Sequence, residues 1–143
     1  MQFMSKHHLN LGLSFCVSLL LLAGCAGPLT MNKIQHIEQG MPSDRLSSMV
    51  ERKPTKVRMV FDPENGIEYQ IQVFPMQTDT IMTTTYTKYM TYTHTYPVTR
   101  DYTFLFREDS LLFWGFPHEF GRSDEPSIRR LAPLIIEAME KGK

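Results

Sequence analysis

The chain has 143 residues, 15 basic and 15 acidic side chains, and two cysteines. That balance leaves no basic patch for nucleic acid and no acidic tail for a basic partner. The length allows one domain with a modest core.

Taken in order, residues 1–8 carry Lys6 and two histidines as a basic lead into an apolar run from Leu9 to Ala23. Such a run is too short for a bilayer span, which needs roughly 20 apolar residues, but it suits the core of an export signal. Leu22-Ala23-Gly24-Cys25 closes it and reads as a lipobox, with Leu22, Ala23 and Gly24 recognised by the signal peptidase and Cys25 lipidated. Residues 1–24 are then a lipoprotein signal peptide, and Cys25 carries a diacylglycerol and an N-acyl (palmitate-type) chain. Two or more acyl chains anchor a protein stably where one holds only marginally. Ala26 follows the cysteine in place of Asp, which by the sorting rule of enteric-type lipoproteins directs the protein to the outer membrane of a diderm cell, facing the periplasm. Cys16 leaves with the signal and Cys25 is acylated, so no disulfide or thiol chemistry is expected of the mature domain.

Residues 25–30 form a short lipidated tether, and residues 31–143 a single α+β domain. Met31, Ile34 and Ile37 recur at helical spacing, which predicts a helix from Met31 to Gln39 with Gly40 as its C-terminal cap. Pro42-Ser43-Asp44 starts a second helix with Leu46, Met49 and Val50 on its apolar side, and Pro54 closes it.

From Val57 the period becomes alternating. Val57, Met59 and Phe61 face one way; Asp62-Pro63-Glu64-Asn65-Gly66 turns; Ile67, Tyr69, Ile71 and Val73 continue the same alternation in a return strand. Residues 77–98 form a Thr/Tyr-rich insertion with few charges. Its alternation sets Thr83, Thr85, Thr87, Thr91, Thr93 and Thr95 against Tyr86, Lys88, Met90, Tyr92, His94 and Tyr96, an extended ribbon. Tyr86, Tyr92 and Tyr96 are its candidate binding surface; a plain extended hairpin or a mobile loop is the alternative.

Tyr102, Phe104 and Phe106 alternate again, Glu108-Asp109-Ser110 turns, and Leu111 to Phe116 returns with the single tryptophan, Trp114. These two strands are expected at the sheet centre, with Phe104, Phe106, Leu112 and Trp114 facing the core. Pro117 ends the strand, His118 to Glu125 is a polar connection, and Ser123 or Asp124 caps a last helix with Pro126 in its first turn. Ile128, Leu131, Ile135 and Met139 form its stripe. Pro133 is expected to kink it or split it in two.

His36, His94 and His118 lie on different elements, and none stands four residues from another ligand type, so no metal site and no cofactor is expected. His118-Glu119 with Asp124-Glu125 reads as a solvated loop before an acidic metal site. No Gly-x-Ser-x-Gly elbow or phosphate loop occurs, no catalytic residue is assigned, and the domain reads as non-enzymatic.

Ile34, Ile37, Gly40-Met41, Leu46, Val50 and Pro54 resemble the I-x-x-I-x-x-G-M-[ST]-x-x-x-V-x-x-x-L-G-x-P pattern of the SmpA/OmlA family of small outer-membrane lipoproteins, over roughly residues 31–117. Pro42 stands at its capping Ser/Thr, Glu51 at its glycine, and Pro54 falls one residue late. The resemblance implies a BamE-like, β-lactamase-inhibitor-like fold: two short N-terminal helices on an antiparallel sheet of about four strands, to which the C-terminal helix is added. The function expected is a non-enzymatic interaction or scaffold module in cell-envelope or outer-membrane-protein assembly or maintenance, held to the membrane by its lipid and bound to envelope proteins. The alternatives are a peptidoglycan- or glycan-binding lipoprotein using the Thr/Tyr ribbon, and an inhibitor of a periplasmic enzyme.

Overall fold

A computed structural model describes residues 27–141; the lipobox residues Leu22, Ala23, Gly24 and Cys25 lie outside them. In chain order the elements are α1 (Met31–Ile34), α2 (Ser43–Val50), β1 (Lys56–Asp62), β2 (Ile67–Tyr86), β3 (Thr91–Arg107), β4 (Ser110–Gly115), α3 (Pro117–Phe120) and α4 (Pro126–Glu140). The strands form one antiparallel meander in the order β1-β2-β3-β4. The architecture is α+β, with helices from both ends of the chain on the sheet.

Each face of the sheet has its own core. Leu29, Ile37, Met41, Leu46 and Val50 pack on Phe74, Met76, Tyr102, Phe104, Phe106 and Leu111. On the reverse, Ile128, Leu131, Ala132 and Ile135 of α4 pack on Val60, Tyr69, Ile71 and Leu105. Strands covered on both sides lose the polar alternation that marks a half-exposed sheet, and 102–106 accordingly reads Tyr-Thr-Phe-Leu-Phe with every residue buried.

Several expectations are corrected by this arrangement. The central strands are β2 and β3, and β4 is an edge. Leu105 is buried with its neighbours because it faces α4. A bulge at Leu112 shifts the pairing from Phe104↔Trp114 to Phe106↔Leu111, so Leu111 and Trp114 share the N-terminal core while Leu112 packs on the other. In the first hairpin Asp62 pairs with Ile67, which places Val57, Met59 and Phe61 on the face of Gln72, Gln70 and Glu68. The apolar series of β1 therefore faces away from Tyr69, Ile71 and Val73, because the intervening loop has an even number of residues. The α1 and α2 layer lies over the later strands, leaving Val57, Met59 and Phe61 exposed at 42%, 51% and 59%.

The first helix is a single turn. The chain leaves it before Ile37, and Gly40 (φ +86°) adopts a conformation a side chain would strain. That bend lets the Gly40 N–H donate to the Leu111 carbonyl at 2.7 Å and the Leu111 N–H donate to the Met41 carbonyl at 2.9 Å, covering the outer edge of β4 at Leu111. Pro42 gives α2 no side-chain cap, and Asp109, from the β3–β4 turn, replaces it. Its Oδ1 accepts from the Ser43 N–H at 3.0 Å and the Ser43 hydroxyl at 2.5 Å. Glu51 is left-handed (φ +53°) and paired with Lys33 at 2.8 Å.

Pro117 opens a helical turn, α3, where a polar connection was expected. The Glu119 carboxylate accepts the Phe116 N–H at 2.6 Å, and Phe120 is fully buried against α4. The last helix is continuous over fifteen residues despite Pro133. Pro133 lies on its exposed side, so the Arg129 carbonyl that loses its helical donor can face water.

Candidate interaction surface

Beyond Gln77 and Val98 the β2–β3 hairpin leaves the body as a two-stranded ribbon, paired from Asp79↔Val98 to Tyr86↔Thr91. At about 3.3 Å per residue its eight-residue arms extend roughly 25 Å. Thr78 is extruded at the root, shifting the register between Gln77 and Asp79. The tip is fastened by Thr87, whose N–H donates to the Met90 carbonyl at 2.9 Å and whose hydroxyl accepts from the Met90 N–H at 3.0 Å.

The ribbon's side chains are exposed on both faces. The turn at 87–90 reverses the sense of the alternation, so opposite residues, not residues of one parity, share a face. Ile81 opposes Tyr96, Thr83 opposes His94 and Thr85 opposes Tyr92. Together they make one aromatic face on which His94 and Tyr96 stack at 6.3 Å. The other face carries Met82, Thr84, Thr93, Thr95 and Tyr86. The expected grouping of Tyr86 with Tyr92 and Tyr96 is thereby divided, and the threonines fall on both faces. Tyr89, 85% exposed and unremarked by periodicity because it sits in the turn, completes the tip beside Lys88. Asp79 is the ribbon's only acidic side chain, and Lys88 is its only lysine or arginine.

The segment before α1 meets the fold at the ribbon root. The Leu29 N–H donates to Pro75 and the Gln77 N–H donates to Leu29, each at 2.8 Å, adding a parallel bridge to β2 beyond the start of β1. Arg52 donates to the Gly27 carbonyl at 2.9 Å.

Elsewhere, His118, Glu119, Asp124 and Glu125 surround one open cleft with Arg122. Glu119 there is committed to the Phe116 N–H, and His118 stacks on Phe116 at 5.9 Å. No group of three metal-ligating side chains is assembled among the described residues. The acidic turn of the first hairpin has a structural use: Asp62, 1% exposed, accepts from Arg130 at 2.5 Å and from the Glu64 N–H at 3.0 Å. Arg130 also contacts Glu64 at 2.8 Å. No described helix is long and apolar enough to cross a membrane.

No family model, curated protein or solved structure matches the chain.

Proposed function

We propose that this chain is a lipid-anchored, periplasm-facing outer-membrane lipoprotein that works as a non-enzymatic interaction module in envelope assembly or maintenance. The observation that carries the reading is the ribbon. An isolated two-stranded hairpin is marginal in water, and this one presents Ile81, Met82, Tyr86, Tyr89, Tyr92 and Tyr96 to solvent. Large exposed apolar patches mark sites of protein contact, and this one starts beside the tether. A SmpA/OmlA kinship is part of the same proposal, supported by the left-handed backbone of Glu51 at the pattern's glycine.

The test is cross-linking and affinity purification of the intact lipoprotein from membranes, with mass spectrometry of its companions. Wild type should recover envelope proteins, and a variant with residues 79–97 replaced by Asn-Gly should lose them. Equal recovery without the ribbon would refute its role. Cys25→Ala should abolish lipid labelling and membrane retention; continued acylation would refute the anchor.

The aromatic row Tyr92-His94-Tyr96 favours a second reading, stacking on glycan rings. Retention on purified cell-wall sacculi would then fall with Tyr92→Ala and Tyr96→Ala and survive Tyr86→Ala, which alters the opposite face.

A further inference from the structure

A sheet has two edges, and an exposed edge is a template for another strand unless something blocks it. Here the β4 edge is met at Leu111 by the Gly40–Met41 backbone. The β1 edge has no strand beside it among the described residues. Its seven residues, Lys56-Val57-Arg58-Met59-Val60-Phe61-Asp62, contain neither glycine nor proline. Its charged residues all lie toward α4, where Lys56 meets Asp101 at 3.1 Å and Asp62 meets Arg130 at 2.5 Å. The front is wholly apolar, and the exposure of Val57, Met59 and Phe61 has no use within the chain.

We propose that β1 pairs with β1 of a second copy of this chain, antiparallel about a two-fold axis at Met59, joining two sheets into one of eight strands. The sequence of the strand selects that occupant. About Met59, Lys56 falls opposite Asp62, Val57 opposite Phe61 and Arg58 opposite Val60, so no like charges stand directly opposite one another. Opposite residues share a face, and the two triplets Val57-Met59-Phe61 merge into one row of six apolar side chains. Moving the axis one residue on, to Val60, sets Val57 against Pro63, which has no N–H to give, and leaves Lys56 beyond the paired strand. The Met59 register alone engages the whole strand. This pairing needs neither the lipid anchor nor the ribbon, so it stands apart from the function proposed above.

Cysteine cross-linking of the full chain tests both the occupant and the register. Met59 lies on the axis and is half exposed, so Met59→Cys should preserve the fold, checked by circular dichroism. On mild oxidation it should shift most of the chain to twice its monomer mass. The wild-type chain, with the same Cys16 and Cys25, sets the background. Val57→Cys alone and Phe61→Cys alone should stay at that background, because each lies four residues from its own copy across the axis. A mixture of the two should cross-link. Dimer yield from folded Met59→Cys no higher than wild type would overturn the proposal. So would Val57→Cys alone matching Met59→Cys, or capture of a different protein at Met59.

Discussion

Phe104 and Phe61 occupy strands of similar alternating pattern, and the structure gives them opposite energetic weight. Phe104 is fully buried in β3, edge-on to Phe74 at 5.4 Å and to Tyr102 at 5.5 Å. Truncation to alanine removes the transfer free energy of the ring, leaves a cavity, and breaks two aromatic contacts, about 3–5 kcal/mol in all. Phe61, mostly exposed on β1, should cost less than about 0.5 kcal/mol. Trp114, the only tryptophan, is the direct cross-strand partner of Phe104 and reports on unfolding there. With a urea slope of about 1–3 kcal/mol/M for a domain of this size, Phe104→Ala should lower the midpoint by roughly 2 M. Phe61→Ala should leave it within experimental error. Equal shifts for the two variants at a concentration where the chain is monomeric would refute the assignment of faces, because a monomer gives that result only if β1 buries its odd-numbered residues.

Two pH effects follow from named contacts. Burial, with a contribution from the Glu119 charge, pushes the Tyr102 hydroxyl from 10.0 up to about 12. A raised pKa contributes stability that is complete below pH 10 and is lost as pH climbs toward 12. Alkaline unfolding followed at Trp114 should therefore move to higher pH in Tyr102→Phe, and an unchanged profile would refute the linkage. In the acid range, the Ser43 hydroxyl and N–H hold the Asp109 carboxyl below its ordinary 3.8. That contribution is present above 3.8 and disappears as pH falls below it. Asp109→Ala should lower stability at neutral pH and flatten the acid limb of the profile, both read from thermal midpoints against pH.

Much of the scaffold was legible because it is local. The Asp62–Gly66 turn forms as its residue types require, with the Gly66 N–H donating to Asp62 and the Asn65 side chain accepting from Ile67. The α4 stripe of Ile128, Leu131 and Ile135 is buried as its spacing implies. What escaped the sequence depends on pairing at a distance. Which face Val57 and Phe61 adopt is set by the loop and by where the N-terminal helices settle, and neither enters a period count. The bulge at Leu112 changes parity without any Gly or Pro to announce it. Phe120 was hidden among polar neighbours whose structural tasks, such as the Glu119 contact to Phe116, are visible only in three dimensions. The ribbon was recognisable as extended, but dividing its tyrosines between faces required knowing where the chain reverses.

The Ser43–Asp109 contact also bears on when the domain can form. The carboxylate that completes the start of α2 is 66 residues downstream, and Leu29 waits for Pro75 and Gln77 in the same way. The N-terminal layer is thus finished by groups that a chain delivered from its N-terminus presents late. Closing such long loops before any contact rewards them slows folding. A nascent chain ending before Asp109 would hold its first helices unfinished, and assembly becomes a single late event timed by arrival of the β3–β4 turn.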